Sequence, residues 1–259
     1  MFQQIGPVHS TRTDQLEVQV YPDRQSLGRT AAAQAAACMK EALHGQEELR
    51  MIFAAAPSQN EFLEALLQTD GIEWNRITAF HMDEYIGLPP GSAQSFGTFL
   101  RERLFDKVPF AAVHYIDSSS EIRSECERYT ESLRQKPIDI VCLGIGENGH
   151  IAFNDPPVAD FDDQAWVKPV ELERTCREQQ VHDGCFAGLE DVPTHAITLT
   201  IPALMSGKHL FCMVPGPTKR EAVRRTLNGP ITTGRPASVL RRHASCRLYV
   251  DTDSYDLEP

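Results

Sequence analysis

An apolar run at residues 138–143, Ile-Asp-Ile-Val-Cys-Leu, leads directly into Gly144-Ile-Gly-Glu-Asn-Gly-His-Ile-Ala-Phe-Asn-Asp-Pro-Pro157. No other stretch constrains the fold as much. A buried strand that ends in a glycine-rich, polar loop is the signature of an α/β sheet, in which ligands bind beyond the carboxyl ends of the strands. The glycines match Gly-x-Gly-x-x-Gly, the dinucleotide-binding pattern, but that pattern needs a helix to start at the loop. Pro156 and Pro157 stop any such helix within about two turns, and the loop lies past the middle of the chain. Nicotinamide binding is therefore not expected. Gly144 and Gly146 are expected instead to permit tight turns and to let main-chain N–H groups approach a substrate oxygen.

Strand-like and helix-like segments alternate on both sides of this loop. Strands are expected at 16–20, 49–54, 77–82, 113–116, 138–143, 166–170, 196–200, 210–214 and 247–250. Helices are expected at 26–43, from Ser58 or Asn60 to Gln68, at 95–105, 119–135 and 175–186, and from Pro217 or Thr218 to Leu227, with a helical turn at 238–242. The alternation implies a single-domain, Rossmann-like α/β fold spanning residues 1–259, with a mostly parallel sheet and helices on both faces. No repeat or low-complexity linker divides the chain. The net charge of −11 argues against a nucleic-acid partner. No apolar run reaches the ~20 residues of a membrane span, and residues 1–15 lack the pattern of a signal peptide. Seven scattered cysteines without a Cys-x-x-Cys pair fit reduced thiols in the cytoplasm.

Four segments carry candidate chemistry. His150 is either a packing residue or, with Asp155 nearby to raise its pKa from about 6.5 and fix its tautomer, a general acid. His81-Met-Asp-Glu-Tyr85 leaves a strand. If the backbone stays extended, Asp83 and Tyr85 face one side and Glu84 the other, so Asp83 is either a site carboxylate or a solvated strand end. His81 and Asp83 lack a third ligand at metal-site spacing, and no metal is expected. Lys219 opens a helix, where a cation opposes the helix dipole unless an anion sits there too. Ser58 either caps its helix or binds phosphate.

Taken together, Phe80-His-Met-Asp-Glu-Tyr-Ile-Gly-Leu-Pro89 and the 144–156 loop resemble the glucosamine-6-phosphate deaminase/isomerase family, supported by Gln94-Ser-Phe and Val192-Pro-Thr-His-Ala-Ile-Thr198. The related 6-phosphogluconolactonases share a Gly-His loop but not the Met-Asp-Glu-Tyr segment. The resemblance implies a cofactor-free enzyme that converts an amino-sugar 6-phosphate to a ketose 6-phosphate and ammonia. His150 would open the ring, Asp83 would move a proton from C2 to C1, and Lys219 would hold phosphate. Asn148 and Asp155 stand where other members have Asp and Glu. The phosphate loop reads Ala55-Ala-Pro-Ser-Gln59, with Pro57 contributing no N–H. The family's phosphate-gripping arginine aligns with His182, or alternatively Gln180. Trp166-Val-Lys168 lacks the arginine of the effector site in allosteric members. The partner implied is a small sugar phosphate, and a homo-oligomer is compatible with the sequence. The rival readings are a non-catalytic sugar-phosphate sensor and a lactone hydrolase.

Overall fold

The computed structural model describes residues 6–257; residues 1–5 of the polar amino-terminal stretch lie outside them. Its centre is an eight-stranded sheet. In chain order the strands are β1 (His9–Thr13), β2 (Leu16–Tyr21), β3 (Leu49–Phe53), β4 (Ile77–His81), β6 (Ala112–His114), β7 (Ile140–Leu143), β10 (His209–Val214) and β11 (Cys246–Asp251). The order across the sheet is β1-β2-β11-β10-β7-β3-β4-β6. All neighbours are parallel except the β1–β2 hairpin.

The interior strands read as continuous apolar runs because both faces are covered. Along β7, Val141 and Leu143 enter one core, while Ile140 and Cys142 enter the other. One face packs α1 (Arg24–Gly45), α2 (Asn60–Leu67) and α3 (Phe96–Leu100), whose last turn widens into a π-helix at Arg101–Phe105. The opposite face packs α4 (Ile122–Arg134), α6 (Ile201–Met205) and α7 (Arg220–Asn228). Among the described residues, no helix is long and apolar enough to cross a membrane.

Local chemistry sets the helix limits. Asp23 caps α1 by accepting from the Ser26 N–H at 2.7 Å, and Glu121 caps α4 through the amides of Arg123 and Ser124. Buried Arg50 donates to the carbonyls of Ser132, Leu133 and Lys136, so orphan acceptors at the end of α4 find a cation. Neither Ser58 nor Asn60 caps α2, contrary to expectation. The helix is entered through a 3₁₀ turn at Pro57–Gln59 without a side-chain cap, and the Asn60 oxygen accepts from Arg103 instead.

The expected strands at 166–170 and 196–200 do not join the parallel sheet. They form β8 (Val167–Glu171) and β9 (His195–Leu199), which pair antiparallel with each other and with β5 (Asp83–Tyr85) in a separate three-stranded sheet, order β5-β9-β8. The helix between them, α5 (Arg174–His182), walls the binding cavity described below instead of crossing back over the main sheet. After β4 the chain leaves the main sheet at Met82, whose carbonyl accepts from the Leu199 N–H, and Asp83 begins the small one.

The close approach of α1 to α2 depends on Gly28. A Cβ there would lie 2.6 Å from the Glu61 Cβ and 2.8 Å from the Glu61 carbonyl carbon. Gly28→Ala is expected to destabilise the fold by about 1–3 kcal/mol, despite a helix-propensity gain of about 1 kcal/mol. The midpoint of denaturant unfolding measures which effect wins.

Candidate active site

Four neighbouring strands, β10, β7, β3 and β4, send their carboxyl-terminal loops to one cavity of about 210 Å³. The chain runs from β3 outward to β4 and β6, then returns to β7 and proceeds the other way through β10 to β11. The cavity therefore lies at the point where the strand order reverses, where open α/β sheets bind ligands. Its lining includes Asp83, His150, Gly144, Gly146, Ser58 and Lys219, so segments far apart in sequence converge there.

His150 is held by its own loop. Its Nδ1 lies 2.8 Å from Asn148 Oδ1 and 3.0 Å from Asp155 Oδ1, and its main-chain N–H donates to the same Asn148 oxygen at 3.0 Å. Both partners of Nδ1 are acceptors, so Nδ1 carries the proton, and Nε2 remains for the ligand. Gly146 makes room for the ring, since a Cβ at that position would fall 2.1–2.4 Å from its atoms. Gly149 turns the loop at a φ of 89°, and Ala152 adopts an uncommon positive φ of 47° beside it.

Asp155 and Asn148 do not line the cavity. They stand behind His150. Asp155 is fully buried and accepts from His150 and Asn148 on one oxygen and from the Glu173 N–H at 3.0 Å on the other. Burial alone would raise its carboxyl, but these bonds and the imidazole charge outweigh it and hold the group below its usual range. The Cys176 thiol lies within 4.8 Å of the His150 and Asp155 ligand atoms. Burial, followed by the charge of Asp155, pushes this thiol well upward and keeps it protonated. With Asp155 already receiving three N–H groups, the cluster is a hydrogen-bond network and not a coordination sphere.

Asp83 and Glu84 separate as the strand geometry predicts. Glu84 faces away from the cavity and accepts from the amides of Tyr85, Phe96 and Gly97 and from the Ser95 hydroxyl. It ties α3 to β5. Asp83 is 7% exposed and faces the cavity. Burial, followed by the Glu84 charge, pushes its carboxyl well above the ordinary range, which suits a carboxylate that must take up a proton. His81 fixes the backbone beneath it: Nδ1 donates to the Asp83 carbonyl at 2.9 Å and Nε2 accepts from the Ile116 N–H at 2.9 Å.

The other end of the cavity carries a buried cation. Lys219 is 6% exposed. Among the described residues, no atom takes a hydrogen bond from its ammonium. Burial lowers its pKa, opposed by the charges of Asp183 and Glu147. The turn before it is fixed by Asp251, whose carboxylate accepts from the Gly216 N–H. Ser58 lies nearby, and its oxygen accepts from Gln59, a buried residue whose amide also reaches the carbonyls of Leu143 and Met213. Arg24, bonded to Glu61 and the Pro57 carbonyl, reaches the same rim.

His182 does not reach the site. Its side chain is 61% exposed and pairs with Glu147 at 3.4 Å. Helix α5 presents residues 179, 180 and 183 to the cavity, and residue 182 sits about 200° around the helix from residue 180. Gln180, the alternative alignment, is the buried residue that faces the ligand space. Arg24, Gln59, Gln179, Asp183 and Glu173 carry no local sequence signal, because only the fold brings them here.

A family model described as glucosamine-6-phosphate isomerases/6-phosphogluconolactonase matches residues 22–249. The glucosamine-6-phosphate deaminase of Exiguobacterium sibiricum is 40% identical over 189 residues, covering 73% of each chain. That of Bacillus cytotoxicus is 36% identical over 194 residues, 74% of this chain and 72% of its own. Among solved structures, a monomeric glucosamine-6-phosphate deaminase superposes with a TM-score of 0.84 at 27% identity, covering 92% of this chain and 98% of its own. The 6-phosphogluconolactonase of Thermotoga maritima superposes at 0.75 with 22% identity, covering 91% and 99%, and thus shares the fold.

The raised carboxyl of Asp83 has a stability consequence. Below its unfolded value of about 3.9 both states are protonated, and the group costs nothing. As the pH rises from the unfolded value toward the higher folded value, the native state is increasingly penalised, and above the folded value the penalty is constant. Asp83→Asn is therefore expected to raise Tm by about 3 °C or more at pH 8, with the gain vanishing toward pH 4. A thermal-unfolding series against pH checks this.

Proposed function

Since the chain belongs to the glucosamine-6-phosphate isomerase/6-phosphogluconolactonase family, we propose that it is an isomerising deaminase, converting glucosamine 6-phosphate and water to fructose 6-phosphate and ammonia. The observation that carries this reading is the shared cavity, with Asp83 and His150 at one end and the buried Lys219, whose ammonium has no hydrogen-bond partner among the described residues, at the other. A lactone hydrolase needs no base positioned for C2, and a sensor needs no proton-transfer groups.

His150, with Nδ1 anchored, delivers a proton from Nε2 to the ring oxygen as the C1–O5 bond breaks, and the freed Nε2 takes the proton of the C1 hydroxyl as that oxygen becomes the aldehyde carbonyl. Asp155 offsets the imidazolium charge. While Nε2 returns its proton to the carbonyl oxygen, the C2 proton, now α to a carbonyl, passes to the Asp83 carboxylate, giving the enolamine. Asp83 returns it to C1, leaving a ketimine at C2. Water adds to C2 and ammonia leaves. Each proton transfer contributes about 10²–10⁴-fold, and fixing the sugar between the two ends supplies orientation. Lys219 takes the phosphate, with Ser58 and the Gly144 and Gly146 turn at the floor. Gln180 occupies the place on α5 expected for a cation, so the phosphate is gripped by fewer charges than an arginine would provide. We place the enzyme in the cytoplasm, where seven free thiols, five of them buried, suit a reducing environment.

Purified protein supplied with glucosamine 6-phosphate is expected to release ammonia and fructose 6-phosphate in equal amounts. Asp83→Asn is expected to abolish C2 proton exchange with solvent. Binding without turnover would favour the sensor, and turnover of a sugar lactone alone would favour the lactonase. Lys219→Ala is expected to raise KM for the phosphorylated sugar about 10–100-fold, the cost of one buried charge-assisted bond. Binding of the unphosphorylated sugar should hardly change, as competition assays can measure.

A further inference from the structure

We propose that Glu173 is a positioning residue for His150, presenting a second carboxylate to the imidazole through the Asn148 amide. The inference rests on the reading of His150 as the ring-opening acid, although its geometry stands independently.

Glu173 grips the network twice. Its Oε2 accepts from Asn148 Nδ2 at 2.6 Å, and its main-chain N–H donates to Asp155 Oδ2 at 3.0 Å. The Asn148 amide nitrogen thus donates to two carboxylates, Glu173 and Asp155. Its oxygen receives both the main-chain N–H and the Nδ1 proton of His150. An amide turned by 180° would set its oxygen against two carboxylates and lose both bonds to His150. The two carboxylates therefore decide which way Asn148 faces, and Asn148 in turn directs the Nδ1 proton.

Asn148 itself carries no charge, so the amide transmits what Glu173 supplies. When Nε2 holds the proton destined for the sugar, the imidazolium has Asp155 in contact and Glu173 one residue behind. The other titratable or charged groups around the ring, among the described residues, are the protonated Cys176 thiol on α5 and, across the cavity, Asp83, Asp183, Lys219 and, at the rim, Arg24. Glu147, though close in sequence, turns to His182. Glu173 is also the residue from which α5 starts, so the helix that walls the cavity is attached to the back of the acid.

Glu173→Gln keeps the shape and removes the charge. It is expected to move the alkaline limb of the kcat–pH profile to lower pH by about half a unit or more, with KM for glucosamine 6-phosphate changed by less than about twofold. Glu173→Asp is expected to recover part of the shift. Independently of turnover, proton NMR of ligand-free, ¹⁵N-histidine-labelled protein should show the His150 Nδ1 proton shifted or broadened in Glu173→Gln relative to wild type. An unmoved resonance with an unmoved pH limb, or a changed KM alone, would overturn the proposal and leave Glu173 a helix-end residue. If the wild-type protein turns out not to deaminate, a displaced resonance still supports the positioning role, and only the assigned reaction fails.

Discussion

The buried carboxylate of Asp155 is the constraint around which the site is organised. A fully buried negative charge is tolerated only when hydrogen-bonded donors replace its water. Three N–H groups do so here, from His150, Asn148 and Glu173. Meeting that requirement orients the imidazole, fixes its proton on Nδ1 and attaches the start of α5 to the 144–157 loop. The same bonds that make the charge tolerable therefore also set the geometry of the acid. The glycines follow from this packing: Gly146 exists where the ring needs the space of a Cβ.

Two further ionisable groups, Asp83 and Lys219, are buried in the cavity and, among the described residues, have no counter-ion in direct contact. Burial disfavours the charged form of each, raising the carboxyl and lowering the ammonium. A fold selected only for stability would replace or pair them. Two apolar cores flanking the sheet provide the stability that offsets such strain, and a substrate with a transferable proton at one end and an anion at the other would relieve it. The polar groups that do find partners, such as Glu84 with its four donors, hold the walls in place.

Much of this was legible in the sequence. The apolar runs of β3, β4, β7 and β10 marked the buried strands, because a strand covered on both faces has almost no polar positions. The loops after them marked the cavity, and strand alternation correctly set Asp83 apart from Glu84. Other features left no local trace. The antiparallel sheet of β5, β9 and β8 looks in sequence like more of the same alternation, because pairing direction is not encoded in the composition of a strand. His182 and Gln180 are two residues apart, and the alignment favoured the wrong one, His182. The helical rotation of α5 puts one in solvent and the other in the cavity.

The sequence by itself determined most of the sheet-forming segments, though not β1 or β5, the glycine-rich loop and the identity of a histidine, an aspartate and a lysine suited to acid–base and anion chemistry, because each is a local matter of hydrophobicity, backbone freedom or side-chain type. Only the tertiary structure decided which of these groups share a cavity, which nitrogen of His150 faces it, and that Glu173, Gln59 and Gln180 belong to the site. The orientation of His150 depends on how its own loop folds back on it, and the rest on contacts between residues from about twenty to more than a hundred positions apart; burial, which shifts the ionisation of Asp83 and Lys219, exists only once the chain has closed around them.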